Sequence, residues 1–520
     1  MKILIIKLLY VFLLTVNICS TSKDNCENFI FSPTKENVKI IGRFYQHKDI
    51  TWLIQSGSAI EFYVNGFSAK VILIGGSSIN TIPNYRPRFG VYVDDEIIFD
   101  STMSEPELPV ELFKGSSEKK AKIKVMFLSE AITGGIGIKA ININSCDKNP
   151  IKPSEKKKLN IEFIGDSIMA GYGVEAKNQF EHFQTSTENF SKTYAYLTAK
   201  NLDADYYGVI YSGYGVVSGH SRGEKGEKNT QSMISNAYTK ISKYPDFPGE
   251  WDFENHPIDV IVINFGTNDN SYIIFDPEKR SEEFVEEYYN FLRLVRGKNP
   301  ESYIICTLGM MGRENLYPFI DKAIKLVGDN KISSYESNIR SVNFGFGADY
   351  HPSSKTHIYN SYVLTDKICN ILGLEFNQIK LDAASFSVYD VKKNEEKGVN
   401  ISFIIGKDKS FWINTIIGGK EPMDIEAKCS GIQLEKGGVY VLEFEYISTK
   451  EEKIPVIIRG KKEYFKDSIK STLTKVKYFG EVNIDENDDD AAIIYQLGGL
   501  DNFGFTLVNI KLTKINKFNK

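Results

Sequence analysis

The sequence predicts an α/β domain with a parallel sheet, flanked by two β-sandwich domains. The texture of the chain changes twice: short alternating strands occupy residues 24–148, apolar strands alternate with helices over residues 160–373, and alternating strands return over residues 376–520. Many short strands between Gly-, Ser- and Asn-rich turns are typical of a sandwich. Apolar strands that alternate with amphipathic helices are typical of a parallel sheet covered by helices.

The individual elements follow from the spacing of apolar residues. The first domain has predicted strands at Ser58–Val64, Ala69–Leu73, Arg88–Val93 and Ala121–Met126. The central domain has predicted strands at Asn160–Ile164, Tyr206–Ile210, Val260–Phe265 and Tyr303–Cys306, and helices at Thr193–Lys200, Glu282–Val295 and Ile358–Leu372. The last domain has predicted strands at Val439–Tyr446, Ile454–Ile458, Ala491–Leu497 and Phe503–Leu512. A Pro- and Lys-rich stretch at residues 149–159 is predicted to be a linker.

Length and charge limit the class of protein. A chain of 520 residues has room for about three domains. Its 63 Lys and Arg residues nearly balance its 67 Asp and Glu residues, for a net charge of −4, which argues against a nucleic-acid partner. A hydrophobic content of 42% excludes a disordered chain.

Residues 1–22 are predicted to be a secretory signal peptide. Lys2 and Lys7 supply the positive region, Leu8–Val16 is an apolar run, and small polar residues follow as a cleavage site requires. The run is short for a transmembrane span, so an uncleaved anchor is the less favoured alternative. We therefore expect a secreted, extracellular protein with no membrane attachment after signal removal.

The cysteines agree with export. Cys19 is expected to leave with the signal peptide, and Cys26 and Cys146, which bracket the first domain, could pair in an oxidising compartment. Cys306 and Cys369 could pair or could equally be buried thiols. The sequence has no Cys/His cluster with zinc spacing, and we expect neither a metal nor a cofactor.

Candidate catalytic residues follow the predicted central strands. The first strand runs into Gly165-Asp166-Ser167, which places a serine at the carboxyl edge of the sheet, where open α/β sheets bind ligands. The tripeptide alone is a weak signal, since a serine in such a turn can simply cap a helix. Gly213 and Asn268 follow the next two strands, and Asp349-Tyr350-His351 precedes the last helix. A hydroxyl, an imidazole, a carboxylate and N–H donors at one edge are what acyl transfer needs.

In chain order these blocks resemble the SGNH (GDSL-like) hydrolases. Narrower matches resemble carbohydrate esterase family 2, whose members include acetyl xylan esterases: Gly165–Ile168 with Gly171–Gly173, the Leu308–Gly312 turn, and Asp349–Ser353 with His357. This chain also resembles the N-terminal jelly roll of that family at Ile41–Arg43, Trp52 and Gln55–Phe62. The resemblance spans residues 37–372. It implies a jelly-roll β-sandwich at residues 24–148 and an SGNH α/β/α three-layer domain at residues 160–373.

The resemblance also implies roles for individual residues. Ser167 would be the nucleophile, His351 the general base and Asp349 the residue that orients His351. The oxyanion hole would consist of the Ser167 and Gly213 backbone N–H groups and the Asn268 side chain. Most SGNH hydrolases space the acid and base as Asp-x-x-His, whereas this chain has Asp-x-His. The shorter spacing agrees with family 2, in which some members lack the acid, so the role of Asp349 stays open.

For the remaining candidate residues, a purely structural role is an alternative to a functional one. Tyr214, Trp251, Met310 and Met311 either line the substrate cleft or pack in the core. Asp166 and Asp269 are expected to be hydrogen-bonding scaffold. The other histidines are less suited to be the base: His47 lies in the first domain, His182, His220 and His256 lie in loops where no partner acid is expected, and His357 is expected to be structural.

The last domain, residues 376–520, resembles carbohydrate-binding modules of the family 4/9 type in its strand pattern alone. Trp412, Tyr464 and Tyr495 are candidate sugar-stacking residues, although β-sandwiches also bury aromatic residues. The acidic run Asp485–Asp490 could hold calcium, but a solvated turn is the favoured interpretation.

Together these observations predict a secreted carbohydrate esterase that removes O-acetyl groups from plant cell-wall polysaccharide, such as acetylated xylan or glucomannan, through a Ser-His-Asp acyl-enzyme mechanism. The alternatives are an SGNH esterase or lipase that acts on a non-carbohydrate acyl ester, and a non-catalytic carbohydrate-binding protein. With an ordinary imidazole pKa near 6.5, activity is expected to fall below about pH 6.5.

Overall fold

The computed structural model describes residues 26–223, 225–337, 345–374, 379–381, 388–407 and 410–515. The predicted signal peptide and Cys19 lie outside these ranges. Within them, no helix combines the length and the apolar character needed to cross a bilayer.

The N-terminal domain is a single antiparallel sheet of ten strands that folds over one apolar core. The strands are β1 (Glu27–Phe31), β2 (Lys39–Ile41), β3 (Phe44–His47), β4 (Ile50–Leu53), β5 (Ala59–Gly75), β6 (Arg88–Val93), β7 (Glu96–Thr102), β8 (Glu107–Phe127), β9 (Ile136–Ser145) and β10 (Ile151–Pro153). Leu53, Phe62, Phe89 and Ile123 are among the fully buried core side chains. The alternation of apolar and polar residues along these strands therefore indicates a sheet with one buried face.

Two boundaries differ from the sequence-based expectation. The runs Ser58–Val64 and Ala69–Leu73 belong to one strand, β5, because its ladder with β8 continues through Gly66 with a register shift. Such a bulge absorbs a break in alternation without ending the strand. Part of the predicted linker also joins this sheet, since β10 pairs with β5.

The central domain has a parallel sheet in the order β12-β11-β13-β14-β15. Its strands are β11 (Asn160–Gly165), β12 (Asp205–Ile210), β13 (Val260–Asn264), β14 (Tyr303–Leu308) and β15 (Ile332–Glu336). Its α-helices are α1 (Ser167–Ala170), α2 (Tyr194–Asn201), α3 (Asn270–Ile273), α4 (Pro277–Lys298), α5 (Tyr317–Val327) and α6 (Ser354–Leu372).

Both faces of this sheet are covered. Alternate residues of β13 enter different apolar clusters: Val262 packs with residues of α1, α2 and α6, whereas Ile263 packs with residues of α4 and α5. This explains why the strands read as continuous apolar runs. The strand order reverses at β11, whose two neighbours are β12 and β13. The crevice at such a reversal is the usual ligand site of an open α/β sheet.

The C-terminal domain consists of two antiparallel sheets around a shared core. The strands are β16 (Ile379–Leu381), β17 (Val388–Lys393), β18 (Asn400–Ile405), β19 (Phe411–Ile417), β20 (Ile425–Leu434), β21 (Val439–Ser448), β22 (Lys453–Arg459), β23 (Glu463–Lys470), β24 (Val476–Asn483), β25 (Asp488–Gln496) and β26 (Phe503–Ile515). The domain contacts α6, where the Tyr359 and Phe479 rings lie 5.3 Å apart and Tyr362 donates to Glu481.

The cysteines resolve the alternatives left open by the sequence. Cys26 and Cys146 form a disulfide that joins the beginning of β1 to the end of β9. Cys306 in β14 and Cys369 in α6 are separate buried thiols, and so is Cys429.

Candidate active site

Ser167 lies directly after β11, in the crevice where the strand order reverses. Asp166 caps the short helix α1 because its Oδ1 accepts the backbone N–H of Ile168 at 3.0 Å. Gly171, with a φ of 81°, ends this helix in a left-handed conformation that glycine adopts without strain. The side chain of Ser167 is thus held on a tight strand-to-helix turn.

His351 is positioned as a general base for Ser167. Its Nε2 lies 2.9 Å from Ser167 Oγ, and its Nδ1 lies 3.1 Å from the carbonyl oxygen of Ala348. A carbonyl only accepts hydrogen bonds, so the proton of the neutral ring belongs on Nδ1. The lone pair on Nε2 then faces the serine hydroxyl, as proton abstraction requires.

Burial lowers the pKa of His351 to about 4, although the Ala348 carbonyl opposes this shift. The imidazole is therefore neutral at pH 7 and ready to accept a proton. The limit of pH 6.5 expected from the sequence assumed an ordinary histidine, and burial shifts the expected limit to lower pH.

The expected contact between Asp349 and His351 is not the one that the structure has. Asp349 Oδ1 lies 2.8 Å from His182 Nδ1, and Oδ2 accepts a hydrogen bond from the Tyr172 hydroxyl at 2.8 Å. Asp349 and Tyr350 have positive φ angles of 47° and 62°, and this turn directs the carboxylate away from Nδ1 of His351. The Ala348 carbonyl takes the place that an orienting carboxylate would occupy.

Asp349 is nevertheless part of the site. Burial raises its pKa, but hydrogen bonds from His182 and Tyr172 outweigh burial and hold the pKa below its usual value. Its negative charge also favours protonation of His351. The sequence analysis was wrong about His182, which does have an acid beside it in space.

Tyr172 is a site residue that the sequence analysis did not single out. Its ring stacks on the His351 ring with centroids 4.0 Å apart and planes 17° apart, while its hydroxyl binds Asp349. Phe183 also packs against Tyr172, with the two ring centroids 4.7 Å apart. The Gly171-Tyr172-Gly173 block was the signal, since it carried the family resemblance without a role for its tyrosine.

The three predicted oxyanion donors follow neighbouring strands of the parallel sheet: Ser167 follows β11, Gly213 follows β12 and Asn268 follows β13. Gly213 has a φ of 79°, so a side chain there would be strained by the backbone alone. The described residues provide no hydrogen-bond acceptor for the backbone N–H of Ser167 or of Gly213. Asn268 differs, because its Nδ2 lies 3.1 Å from Asp166 Oδ2 and 2.9 Å from the Tyr214 carbonyl.

Asp269 forms part of the scaffold beneath these donors. Its Oδ1 accepts the backbone N–H groups of Val216 and Val217 at 2.8 Å and of Ser218 at 3.2 Å. Burial raises the pKa of Asp269 to about 6 and that of Asp166 to about 7. Both contact backbone or amide N–H groups, in agreement with the scaffold role expected for them.

Three of the four predicted cleft-lining residues, Tyr214, Trp251 and Met310, are buried. Tyr214 stacks on Tyr211 at 4.9 Å, and Met310 is 2% exposed. Met311 is half-buried. Trp251 lies elsewhere, against His256 and the buried Arg43, which pairs with Glu162 in the middle of β11.

The exposed aromatic residues near the site come from other segments. Tyr350 is 52% exposed and packs edge-on against the exposed Phe180, and Tyr85 of the first domain contacts Phe183. None of these was identified from the sequence, because their proximity depends on the folding of the loop at residues 175–190 over Asp349.

His357 is structural, as the sequence predicts. Its Nδ1 accepts the backbone N–H of Tyr194 at 3.2 Å, and burial lowers its pKa to about 3. Across the described ranges, no three His, Cys, Asp or Glu side chains come together as metal ligands would.

Comparison with known proteins shows what this part of the chain is similar to. The sequence model for GDSL-like lipase/acylhydrolase matches residues 161–398. The cellulase/esterase CelE of Acetivibrio thermocellus is 31% identical over 200 residues, which are 37% of this chain and 23% of that protein. This chain thus spans about a quarter of that relative. An acetylxylan esterase/glucomannan deacetylase of Cellvibrio japonicus is 22% identical over 65% of this chain and 89% of its own length.

Solved structures cover a larger share of the chain than the family model does. A family two carbohydrate esterase from Clostridium thermocellum, in complex with cellohexaose, superposes with a TM-score of 0.55 and 26% identity, covering 65% of this chain and 99% of that one. An acetyl xylan esterase from Butyrivibrio proteoclasticus shares the fold, with a TM-score of 0.58 and 21% identity over 67% of this chain and 99% of that one. Residues 161–398 are therefore similar to the GDSL-like lipase/acylhydrolases.

Proposed function

We propose that this protein is a secreted serine esterase that removes O-acetyl groups from a plant cell-wall polysaccharide such as acetylated xylan or glucomannan. The observation that carries the proposal is the 2.9 Å contact between Ser167 Oγ and Nε2 of a neutral His351. A hydroxyl is a poor nucleophile until a base takes its proton, and this geometry supplies the base.

In the first step Ser167 Oγ attacks the acetyl carbonyl carbon while His351 Nε2 takes the hydroxyl proton. The carbonyl oxygen becomes an oxyanion and accepts hydrogen bonds from the backbone N–H groups of Ser167 and Gly213. Such preorganised donors are each worth about 3–4 kcal/mol of the barrier. Asn268 would be a third donor by turning one amide hydrogen from the Tyr214 carbonyl toward the oxyanion.

The intermediate then collapses. The bond between the carbonyl carbon and the sugar oxygen breaks, and the sugar hydroxyl leaves with the proton from His351. In the second half a water molecule gives a proton to His351 and attacks the acetyl-enzyme, which releases acetate and restores Ser167. The Ala348 carbonyl holds the ring in one tautomer throughout.

The substrate class is supported by the relatives and by the aromatic rim of the site. One relative is named for acetylxylan and glucomannan, and another was solved with cellohexaose bound. In this chain the exposed rings of Tyr350, Phe180 and Tyr85 border the loop that covers Asp349. Aromatic faces with a wet edge suit the apolar faces of sugar rings.

The C-terminal domain is proposed to bind the polysaccharide. Trp412 is 56% exposed on β19, and its Nε1 donates to Ser410 Oγ, which fixes the ring in place. Tyr495 is fully buried in the core and has no free ring face for sugar stacking. Tyr464 is half-buried against the same core and donates its hydroxyl to Asp488. Lys462 pairs with Asp485, which suits the solvated turn rather than a calcium site.

The disulfide supports export. Cys26–Cys146 requires an oxidising compartment, which agrees with the predicted signal peptide at residues 1–22.

The test is acetate release from acetylated xylan and acetylated glucomannan, with an aryl acetate as a small reference ester. The proposal expects release from at least one polymer by the parent and none by Ser167→Ala. Turnover of the aryl acetate without release from either polymer would favour an SGNH esterase on a non-carbohydrate ester. Binding of the polymers without turnover of any ester would favour a carbohydrate-binding protein.

A further inference from the structure

Each proposed oxyanion donor lies beside a buried carboxyl group that accepts a nearby N–H. Asp166 holds the turn at Ser167 through the N–H of Ile168, and Asp269 holds the loop after Gly213 through three backbone N–H groups. The segment just before Gly213 has a third such anchor. The backbone N–H of Ser212 donates to Glu130 Oε2 at 2.7 Å.

Glu130 differs from the other two because it belongs to the N-terminal domain. It lies in the segment between β8 and β9, is 1% exposed, and its neighbour Ala131 packs in the core of the central domain. The contact with Ser212 therefore spans two domains and ends one residue from Gly213. The first domain thereby supplies an anchor for the donor loop as well as a packing surface.

A second buried carboxyl group lies beside Glu130. Glu188 is fully buried beside it, and Glu188 Oε2 accepts the backbone N–H of Glu130 at 3.2 Å. Burial and the neighbouring Glu130 raise the pKa of Glu188 well above its usual value. Burial also raises the pKa of Glu130, and the backbone N–H of Ser212 opposes that shift.

We infer that Glu130 is a positioning residue for ester hydrolysis: its carboxylate holds the Ser212 N–H and so aims the N–H of Gly213 at the developing oxyanion. The inference rests on the proposed function, because Gly213 matters only if an oxyanion forms. The 2.7 Å hydrogen bond from the Ser212 N–H to a buried carboxyl oxygen is short, which suits a group that must fix a loop. Donors misplaced by an ångström lose much of their effect on the transition state.

The experiment compares three variants on an aryl acetate. Glu130→Met keeps the volume but removes the acceptor, and kcat should fall by roughly 10- to 100-fold while KM changes by less than about threefold. Glu130→Gln keeps an oxygen for Ser212 and an amide donor for Glu188, and should restore kcat to within about threefold of the parent. Glu130→Asp withdraws the carboxylate by one methylene and should give an intermediate kcat.

A matched control separates positioning from domain docking. Lys39→Met removes another buried contact between the two domains, the 2.9 Å pair of Lys39 with Asp205, at the opposite end of β12 from Gly213. It should lower the thermal midpoint without lowering kcat. Parent-like kcat in both Glu130→Met and Glu130→Asp would overturn the inference, and so would an equal kcat loss in Lys39→Met. If Glu130→Met does not fold, the Asp and Gln variants decide, since only positioning predicts a kcat difference between them. An inactive parent would instead refute the proposed function.

Discussion

His351 receives its orientation from a backbone carbonyl, and this choice has chemical consequences. The Ala348 oxygen is a neutral acceptor, so it fixes the Nδ1–H tautomer but stabilises an imidazolium less than a carboxylate in contact would. Asp349 acts from a distance, through its charge and through Tyr172, whose ring lies flat on the imidazole. The result is a base with a low pKa that stays neutral over a wide range of pH.

The pH profile should reflect this environment. Because catalysis needs neutral His351 and burial lowers its pKa to about 4, kcat/KM should fall only as the pH drops toward that value. The measurement is kcat/KM for an aryl acetate between pH 3.5 and 8. His182→Ala is the control, because the exposed His182 contacts Asp349 beside the site. A midpoint near 6.5 in both proteins would mean that the base is a solvated histidine.

Replacement of Asp349 should have a moderate effect. The carboxylate contacts His182 and Tyr172 and not Nδ1 of His351, so Asp349→Ala should lower kcat by roughly tenfold. Loss of the acid in a triad of ordinary geometry costs about 10⁴-fold in kcat. A loss of that size in Asp349→Ala would show that the acid orients the base directly during turnover.

The sequence identified Ser167 and His351 because a short strand, a glycine turn and an ordered series of motifs constrain them locally. It could not locate the partner of Asp349, since two positive φ angles at Asp349 and Tyr350 redirect the carboxylate. His182 is 167 residues away from Asp349, and only the folded loop brings them together.

At the scale of elements, the site depends on where loops from two domains meet. The reversal of strand order at β11 opens the crevice, and the periodicity of the sequence predicted the strands that form it. The segment between β8 and β9 enters the central domain beside the end of β12, where Gln55 also donates to the Tyr211 hydroxyl. Apolar patterning does not encode such contacts, because they join polar groups far apart in sequence.

The Glu130–Glu188 pair should make stability depend on pH. Glu188 keeps a proton in the folded protein at pH values where the unfolded chain has lost it, so the free energy of unfolding falls as the pH rises above about 4.5. Glu188→Gln removes this linkage and still offers a donor to Glu130. Its thermal midpoint should therefore exceed that of the parent by more at pH 8 than at pH 5.

The opposite sign is expected at Glu61. Lys124, Lys39 and the Ser154 hydroxyl outweigh burial and lower the pKa of Glu61, so Glu61→Gln should lower the thermal midpoint at pH 8 more than at pH 3.

For Glu188→Gln, equal shifts of the thermal midpoint at pH 5 and pH 8 would contradict the raised pKa assigned to Glu188.

At the scale of the whole molecule, three domains are joined by buried contacts. The change of periodicity along the chain predicted their order, but the docking surfaces were not predictable, because ion pairs such as Arg43–Glu162 join single residues without any local pattern. The C-terminal sandwich contacts the central domain through α6, on the Tyr359 and Tyr362 side chains.

The disulfide should stabilise the whole chain without affecting chemistry. It closes a loop with a sequence separation of 120, and a crosslink of this length contributes about 2–5 kcal/mol by restricting the unfolded chain. The double variant Cys26→Ser, Cys146→Ser should lower the free energy of unfolding by about that amount, measured in urea, with kcat on an aryl acetate unchanged. A large fall in kcat would show that β1 and β9 help to shape the site.

The most direct test of the central claim is the rate of aryl acetate hydrolysis by Ser167→Ala beside the parent, with both proteins shown to be folded. If Ser167 forms the acetyl-enzyme and His351 is its base, kcat should fall by at least about 10³-fold, and mass spectrometry of the acid-quenched parent should find acetyl on Ser167. Retention of activity within about tenfold, with no acetyl adduct on Ser167 in the parent, would contradict the account.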